Sequence, residues 1–230
     1  MMKLLLTVLL LPIALSGSFA QQTASTSKPA PNARENKELE RQKWNAVLTG
    51  RESRVPFNAR PNKLLAETIK ERKPGKALDV GMGQGRNTLF LAQQGWDAYG
   101  VDIADEAVTL AQDNARRANL RITTFVQDAS EFEFGTDRWD LVAFIYAGGR
   151  NEAEQVHRSL KPGGIVVVEG FHRDATRKRK IGENVVFDTD ELKKLYTAAG
   201  FTVLRYEEKE GIGDFGLQQM RLVKLVAQKK

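Results

Sequence analysis

The chain has 230 residues, 41% of them hydrophobic and 28% charged, with 35 Lys and Arg against 29 Asp and Glu for a net charge of +6. That length supports one domain with a full core and some extra chain at one end, and the composition excludes a disordered or multi-span membrane protein. The positive excess is spread along the chain, which favours anionic partners without naming nucleic acid, and the absence of Cys excludes disulfides, thiolate metal sites and a catalytic thiol.

The first twenty residues stand apart from the rest. Lys3 is followed by the apolar run Leu4 to Leu15, and Ser18-Phe19-Ala20 sets small residues around a cleavage point. This layout predicts a secretory signal peptide over 1–20, removed after Ala20, and an exported protein; an unused signal would leave it cytoplasmic. The run is shorter than the roughly 20 residues a membrane span needs. Residues 21–34 are polar and aperiodic, and read as a disordered linker. From Glu35 to Leu48 the pattern is helical, with Leu39, Trp44, Val47 and Leu48 as apolar contacts. A second short helix begins near Pro61 and buries Leu64, Leu65 and Ile69, ending before Pro74-Gly75. Residues 35–73 are thus expected to form a helical cap, and 74–230 the main domain.

From there the chain alternates. Strands are predicted at Ala77 to Val80, Ala98 to Val101, Ile122 to Val126, Leu141 to Ile145 and Ile165 to Val168. Helices are predicted at Asn87 to Gln94, Ala104 to Ala118 and Asn151 to Leu160. The runs at 141 and 165 are continuously apolar, as parallel strands covered on both faces should be. Another helix starts at a capping pair, Asp188 and Glu191, places Leu192, Leu195, Tyr196 and Ala199 on one face, and stops at Gly200. Two strands follow, Phe201 to Tyr206 and Met220 to Ala227, around the glycine-rich loop Gly211 to Gly216. A short loop cannot make a parallel crossover, so the last strand should be antiparallel. The predicted fold is α/β: a three-layer, doubly wound, mostly parallel seven-stranded Rossmann-like sheet with an antiparallel last strand.

The strongest local signal is Asp79-Val80-Gly81-Met82-Gly83-Gln84-Gly85-Arg86-Asn87, where the first strand meets the first helix of the alternation. Ligands of doubly wound sheets bind beyond the carboxyl ends of the strands, and glycines there let the backbone approach them. A dinucleotide fingerprint needs G-x-G-x-x-G; here the third glycine arrives one position early and Arg86 holds the expected place. The G-x-G-x-G pattern with Asp79 two residues ahead resembles the first motif of class I S-adenosylmethionine (SAM)-dependent methyltransferases. Tyr99-Gly100-Val101-Asp102, Val126-Gln127-Asp128-Ala129 and Leu160-Lys161-Pro162-Gly163-Gly164 resemble that family's later motifs, in order and on matching elements.

The resemblance implies S-adenosyl-L-methionine as cofactor. It implies cofactor contacts from Asp79, Gly81, Gly83, Gly85 and Asn87 in the turn, from Asp102 and Ile103 at the ribose, and from Asp128 and Ala129 at the adenine. Met82 is a departure, since the family often has cysteine there. Gly85-Arg86-Asn87-Thr88, Glu169-Gly170-Phe171, Arg205-Tyr206-Glu207-Glu208, and Trp44-Asn45 with Phe57-Asn58 and Pro61-Asn62 are similar to the tellurite-resistance and thiopurine methyltransferase branch, which uses the amino-terminal region as a cap.

Methyl transfer from a sulfonium needs positioning more than side-chain chemistry, and a general base only if the acceptor arrives protonated. Tyr146 and His172, at the ends of the fourth and fifth strands, are the candidate catalytic residues. Each has a bland alternative, packing for Tyr146 and a loop position for His172. The basic run Arg173, Arg177, Lys178, Arg179 and Lys180 reads either as an electropositive rim or as a solvated loop; without interleaved aromatics it makes a poor RNA platform. No cluster has metal-ligand spacing. The expected function is methylation of a small-molecule acceptor, soft or anionic, with nucleic acid disfavoured as partner. The alternatives are a non-catalytic SAM- or nucleoside-binding module, and an RNA or protein methyltransferase. Phe144-Ile145-Tyr146-Ala147-Gly148, in place of an N-P-P-Y-type motif, counts against amide or base nitrogen.

Overall fold

A computed structural model describes residues 32–52 and 56–230. The signal-peptide reading, and all of the 21–34 linker up to Pro31, fall outside the described residues.

Helix α1 (Ala33–Leu48) starts at Asn32, whose side chain accepts from the Arg34 and Glu35 amides while the Glu35 carboxylate takes the Asn32 N–H. This reciprocal cap fixes the first turn without help from packing. Helix α2 (Lys63–Ile69) starts at Asn62, which accepts from Leu65 N–H at 3.1 Å, and buries Leu64, Leu65 and Ile69 as its spacing predicts. The alternating region then runs β1 (Lys76–Val80), α3 (Arg86–Gln93), β2 (Asp97–Asp102), α4 (Asp105–Arg117), β3 (Thr123–Val126), β4 (Trp139–Ile145), α5 (Ala153–Ser159), β5 (Leu160–His172), β6 (Val186–Phe187), α6 (Glu191–Ala198), β7 (Phe201–Ile212) and β8 (Gln219–Lys229).

Among the described residues the strands form one sheet in the order β3-β2-β1-β4-β5-β8-β7, with β6 beside β5. All neighbours are parallel except β8, which runs antiparallel to both β5 and β7. The order turns outward in both directions from β1 and β4, so a crevice opens beyond their carboxyl ends.

Strand alternation sorts the apolar runs into two cores. Ala77, Leu141, Ala143, Ile165 and Val167 face α2 and α3, where they meet Leu64, Leu65 and Leu91. Leu78, Val80, Val142, Phe144, Val166 and Val168 face α5 and α6, where they meet Val156, Leu192 and Tyr196. Met82 fills a third cluster with Val108 and Ala111 of α4, over the space that Gly100 leaves by lacking a Cβ. The departure at Met82 is thus a packing solution beneath the turn.

Three local expectations are corrected. The sheet gains an eighth member, since Val186 and Phe187 pair with Phe171 and His172. The Lys161 to Gly164 turn bulges out of an otherwise continuous strand: Leu160 pairs with Trp139 and Ile165 with Leu141. Helix α6 takes Asp190 as its N-cap, although the Glu191 carboxylate still accepts the Asp188 N–H at 2.7 Å.

Candidate active site

The glycine turn closes β1 at the crevice. Gly81, Gly83 and Gly85 have φ of +70°, +52° and +83°, the left-handed region where a side chain is strained. Gly81 has a second constraint, because a Cβ there would overlap the Ala147 methyl at the end of β4. The turn is tied to β2 from both sides. Gly81 N–H donates to Val101 O at 2.8 Å, and Asp102 accepts from Gly83 N–H and from Ala104 N–H, each at 2.8 Å. Burial raises the Asp102 carboxyl above its ordinary value, against the pull of these backbone donors. Asp102 therefore shapes the turn from the end of β2. Asp79 lies behind the turn, 1% exposed, accepting from Thr88 Oγ1 at 2.7 Å. Burial pushes its carboxyl up to about 6, with the Thr88 hydrogen bond and the Arg86 charge opposing.

Helix α1 lies across this end of the sheet. Arg41 Nη1 and Asn45 Nδ2 both reach Asp105 Oδ1 at 2.7 Å, and Asn45 Oδ1 accepts Glu106 N–H at 3.1 Å, so α1 grips the first turn of α4. Lys37 pairs with Glu131, Arg51 with Glu106, and Gln84 of the glycine turn donates to the Leu48 carbonyl. Between α1 and the ends of β2 and β3 lies a cavity of about 520 Å³, lined by Arg34, Lys37, Glu38 and Arg41 on one side and Ile103, Val126, Gln127 and Asp128 on the other. Its size falls in the range of small-ligand sites. Asp128 caps the short turn Ala129–Glu131, accepting Ser130 N–H at 2.9 Å. The glycine turn and Asp102 close β1 and β2, and the cavity at Ile103, Gln127 and Asp128 opens beside them. Asn87 is buried and spends its Oδ1 on the Asn62 N–H at 2.9 Å, fixing the turn's far side to the amino-terminal segment.

The two candidate catalytic residues are not brought together. Tyr146 ends β4 at the crevice with φ +58°, a strained conformation for a bulky residue that its surroundings must enforce. They do so through Glu169: Tyr146 N–H donates to its carbonyl at 2.8 Å and Tyr146 OH to its Oε1 at 2.8 Å. Burial, reinforced by the Glu169 charge, holds the phenol pKa well above its ordinary value, so Tyr146 is a neutral donor. The Glu169 carboxyl is also raised by burial, with Lys224 opposing at 3.4 Å. The Tyr146 ring packs on Phe171 at 4.8 Å and near Phe215 at 6.0 Å. Along β5, Glu169 and Phe171 share this face, and His172, one residue on, turns to the other. There its Nε2 lies 3.0 Å from Thr189 Oγ1 and its Nδ1 3.0 Å from Asp174 Oδ2.

The basic run after β5 is largely spent within the protein. Arg173 pairs with Asp188 at 2.5 Å and Glu183 at 3.0 Å, Arg177 lies 3.6 Å from Asp174, and Arg179 stacks over Phe171 while donating to the Phe215 carbonyl at 2.9 Å. Among the described residues no group of three or more His, Cys, Asp or Glu is placed to hold a metal ion. Sequence reading missed Glu169 as the partner of Tyr146, and it missed Asp214, a buried carboxylate in the β7–β8 loop that accepts from Arg86 Nη2 at 2.8 Å.

Comparison with known proteins agrees with this geometry. A family model described as a methyltransferase domain matches residues 77–164. The 2-heptyl-1-hydroxyquinolin-4(1H)-one methyltransferase of Mycobacteroides abscessus is 35% identical over 181 residues, covering 73% of this chain and 80% of that protein. The probable S-adenosyl-L-methionine-dependent methyltransferase TehB of Haemophilus influenzae is 33% identical over 155 residues, 64% of this chain and 53% of the relative. The crystal structure of TehB from Haemophilus influenzae superposes with a TM-score of 0.63 at 19% identity, covering 81% of this chain and 67% of that one, which shows a shared fold. The chain spans about half the length of several curated relatives it matches, TehB among them.

Proposed function

The chain belongs to the class I SAM-dependent methyltransferases, and from that premise we propose that its acceptor is a small molecule with a soft or anionic nucleophile. The observation that carries this reading is the state of the two candidate bases. Tyr146 is a protonated phenol already committed to Glu169, and His172, on the other face of β5, has its ring nitrogens 3.0 Å from Thr189 Oγ1 and Asp174 Oδ2. With the Tyr146 phenol committed in this way, an acceptor that arrives already deprotonated, as a thiolate or an oxyanion does, needs no base from it.

Bound SAM supplies a methyl group already activated on its sulfonium. The residues of the chain then bind, orient and exclude water. The Gly81 to Gly85 turn would hold SAM through its backbone, Asp102 and Ile103 would stand at the ribose, and Asp128 and Ala129 at the adenine. Tyr146 and Phe215 wall the acceptor end. The acceptor's lone pair would then displace the sulfonium sulfur from the methyl carbon in line, giving the methylated product and S-adenosylhomocysteine. Holding the reacting atoms near 3–3.5 Å in a dry site supplies most of the rate.

Size follows from the roof. Phe57 packs on Phe215 at 4.3 Å and Trp44 approaches Phe215 at 6.3 Å, which closes the acceptor end with the chain's own side chains. An acceptor that reaches the end of β4 must pass these rings, which favours a small one. The test is to incubate purified protein with SAM and separate panels of thiols, chalcogen oxyanions, hydroxylated heterocycles, peptides and RNA, following S-adenosylhomocysteine. Turnover with a small soft or anionic compound supports the reading. Turnover confined to peptide or RNA overturns it.

A further inference from the structure

The densest polar cluster outside the glycine turn gathers on Asp214. The sequence offers this residue only as part of a glycine-rich connection, yet it is 7% exposed. Asn58 Nδ2 donates to its Oδ1, and Asn62 Nδ2 and Arg86 Nη2 to its Oδ2, all at 2.8 Å. Its own N–H reaches the Tyr146 hydroxyl at 3.3 Å, and its carbonyl accepts Asn58 N–H at 2.9 Å. A second line of bonds runs parallel: Asn62 N–H to Asn87 Oδ1 and Arg86 Nη1 to the Arg60 carbonyl, each at 2.9 Å. Arg86 and Asn87 open α3 directly after the last glycine of the turn. Four stretches distant in sequence therefore meet at one residue: the 57–62 segment and the start of α3 on the Asp214 carboxylate, the end of β4 on its amide, and the β7–β8 loop that carries it.

A loop that only reverses the chain gains nothing from a buried anion, whose desolvation is costly unless its partners compensate. From the placement of those partners we infer that Asp214 is a positioning residue, joining the cofactor turn to the acceptor end so that filling the first tightens the second. Any shift of the turn on binding moves the first turn of α3. Arg86 and Asn87 carry that shift to Asp214 and Asn62, and the Asp214 amide carries it to Tyr146. Asp214 itself meets neither cofactor nor acceptor. Its role rests on the turn being a SAM site, and the experiment separates the two ideas.

Hydrogen exchange of the full protein is followed with and without S-adenosylhomocysteine, for wild type and for Asp214→Asn, which keeps the size and removes the charge. In wild type the ligand should slow exchange at 81–85, and also at 57–62 and 214–216 by about fivefold or more, the signature of a segment ordered by binding. In Asp214→Asn the slowing at 81–85 should persist, while that at 57–62 falls below about twofold. A purely structural Asp214 would change exchange in the free protein and leave the ligand-dependent increment intact. Equal slowing at 57–62 in both proteins overturns the inference, as does a wild type that slows at 81–85 alone. No slowing anywhere in wild type removes the cofactor reading and this inference with it. If circular dichroism shows Asp214→Asn unfolded, Asn58→Ala, at a half-buried position, is judged by the same criteria.

Discussion

Replacing Asp79 with asparagine should stabilise the free protein at neutral pH. In β1 the carboxylate is 1% exposed and has Thr88 Oγ1 as its hydrogen-bonding side chain at 2.7 Å. Burial carries its pKa from the ordinary 3.8 to about 6. The folded value lies above the unfolded one, so between those pH values the native state holds the proton more tightly. Stability from this residue is complete below pH 3.8, falls as pH rises through 6, and is then constant. The difference between the two values corresponds to about 3 kcal/mol, the cost of keeping the ionised carboxylate in place at pH 7. Asparagine carries no such cost, and its amide oxygen can still accept from Thr88. Urea denaturation of wild type and Asp79→Asn across the acidic to neutral range reads the difference. The variant should lead by about 3 kcal/mol at neutral pH, with the gap closing toward pH 4. A gap independent of pH would refute the reasoning. A carboxylate kept at that cost is expected to repay it on a cationic ligand, so the same variant should bind SAM, a sulfonium, more weakly while being more stable without it.

Asp102→Ala should weaken S-adenosylhomocysteine binding by about 1.5–3 kcal/mol, roughly tenfold to more than a hundredfold, because it loses a charged acceptor and releases the Gly83 N–H; unchanged affinity by calorimetry would reject the ribose assignment. Gly81→Ala places a methyl against Ala147 at φ +70° and should cost about 1–3 kcal/mol of stability together with ligand binding; a variant with wild-type melting and affinity would show the turn to be more pliable than described. The ion pairs of Lys37 and Arg41 in α1 and of Arg51 just beyond it lie in solvent, where salt screens them. Raising salt to about 1 M should therefore speed hydrogen exchange in 33–48 with little change in the melting temperature. Salt-independent exchange there would mean that apolar contacts hold the helix.

Much of the fold was legible because its signals are local. The apolar runs of β4 and β5, the alanine face of α4 and the glycines after β1 are each set by a period or a backbone conformation that a short window contains. The two cores follow from alternation alone. Legibility failed where a contact spans the chain. Asp214 meets Asn58, Asn62 and Arg86 across more than a hundred positions, and no local pattern marks it. The asparagines were visible in the Trp44-Asn45, Phe57-Asn58 and Pro61-Asn62 pairs, but what they bind was not. The direction of His172 was recoverable. Had the fifth strand been extended from Val168 to His172, the two-residue period would have put Glu169 and Phe171 on the Tyr146 face and His172 on the other. The bulge at Lys161 to Gly164 hides the strand's other end, since Pro-Gly-Gly reads as a boundary and here interrupts the strand only briefly.

The central claim is that the crevice at the ends of β1, β2 and β3 holds SAM, and calorimetric titration with S-adenosylhomocysteine tests it without knowledge of the acceptor. Wild type should give saturable binding at one site per chain, and Asp102→Ala the same stoichiometry at weaker affinity. A folded wild-type protein that releases no heat and gains no thermal stability with excess ligand would contradict the account.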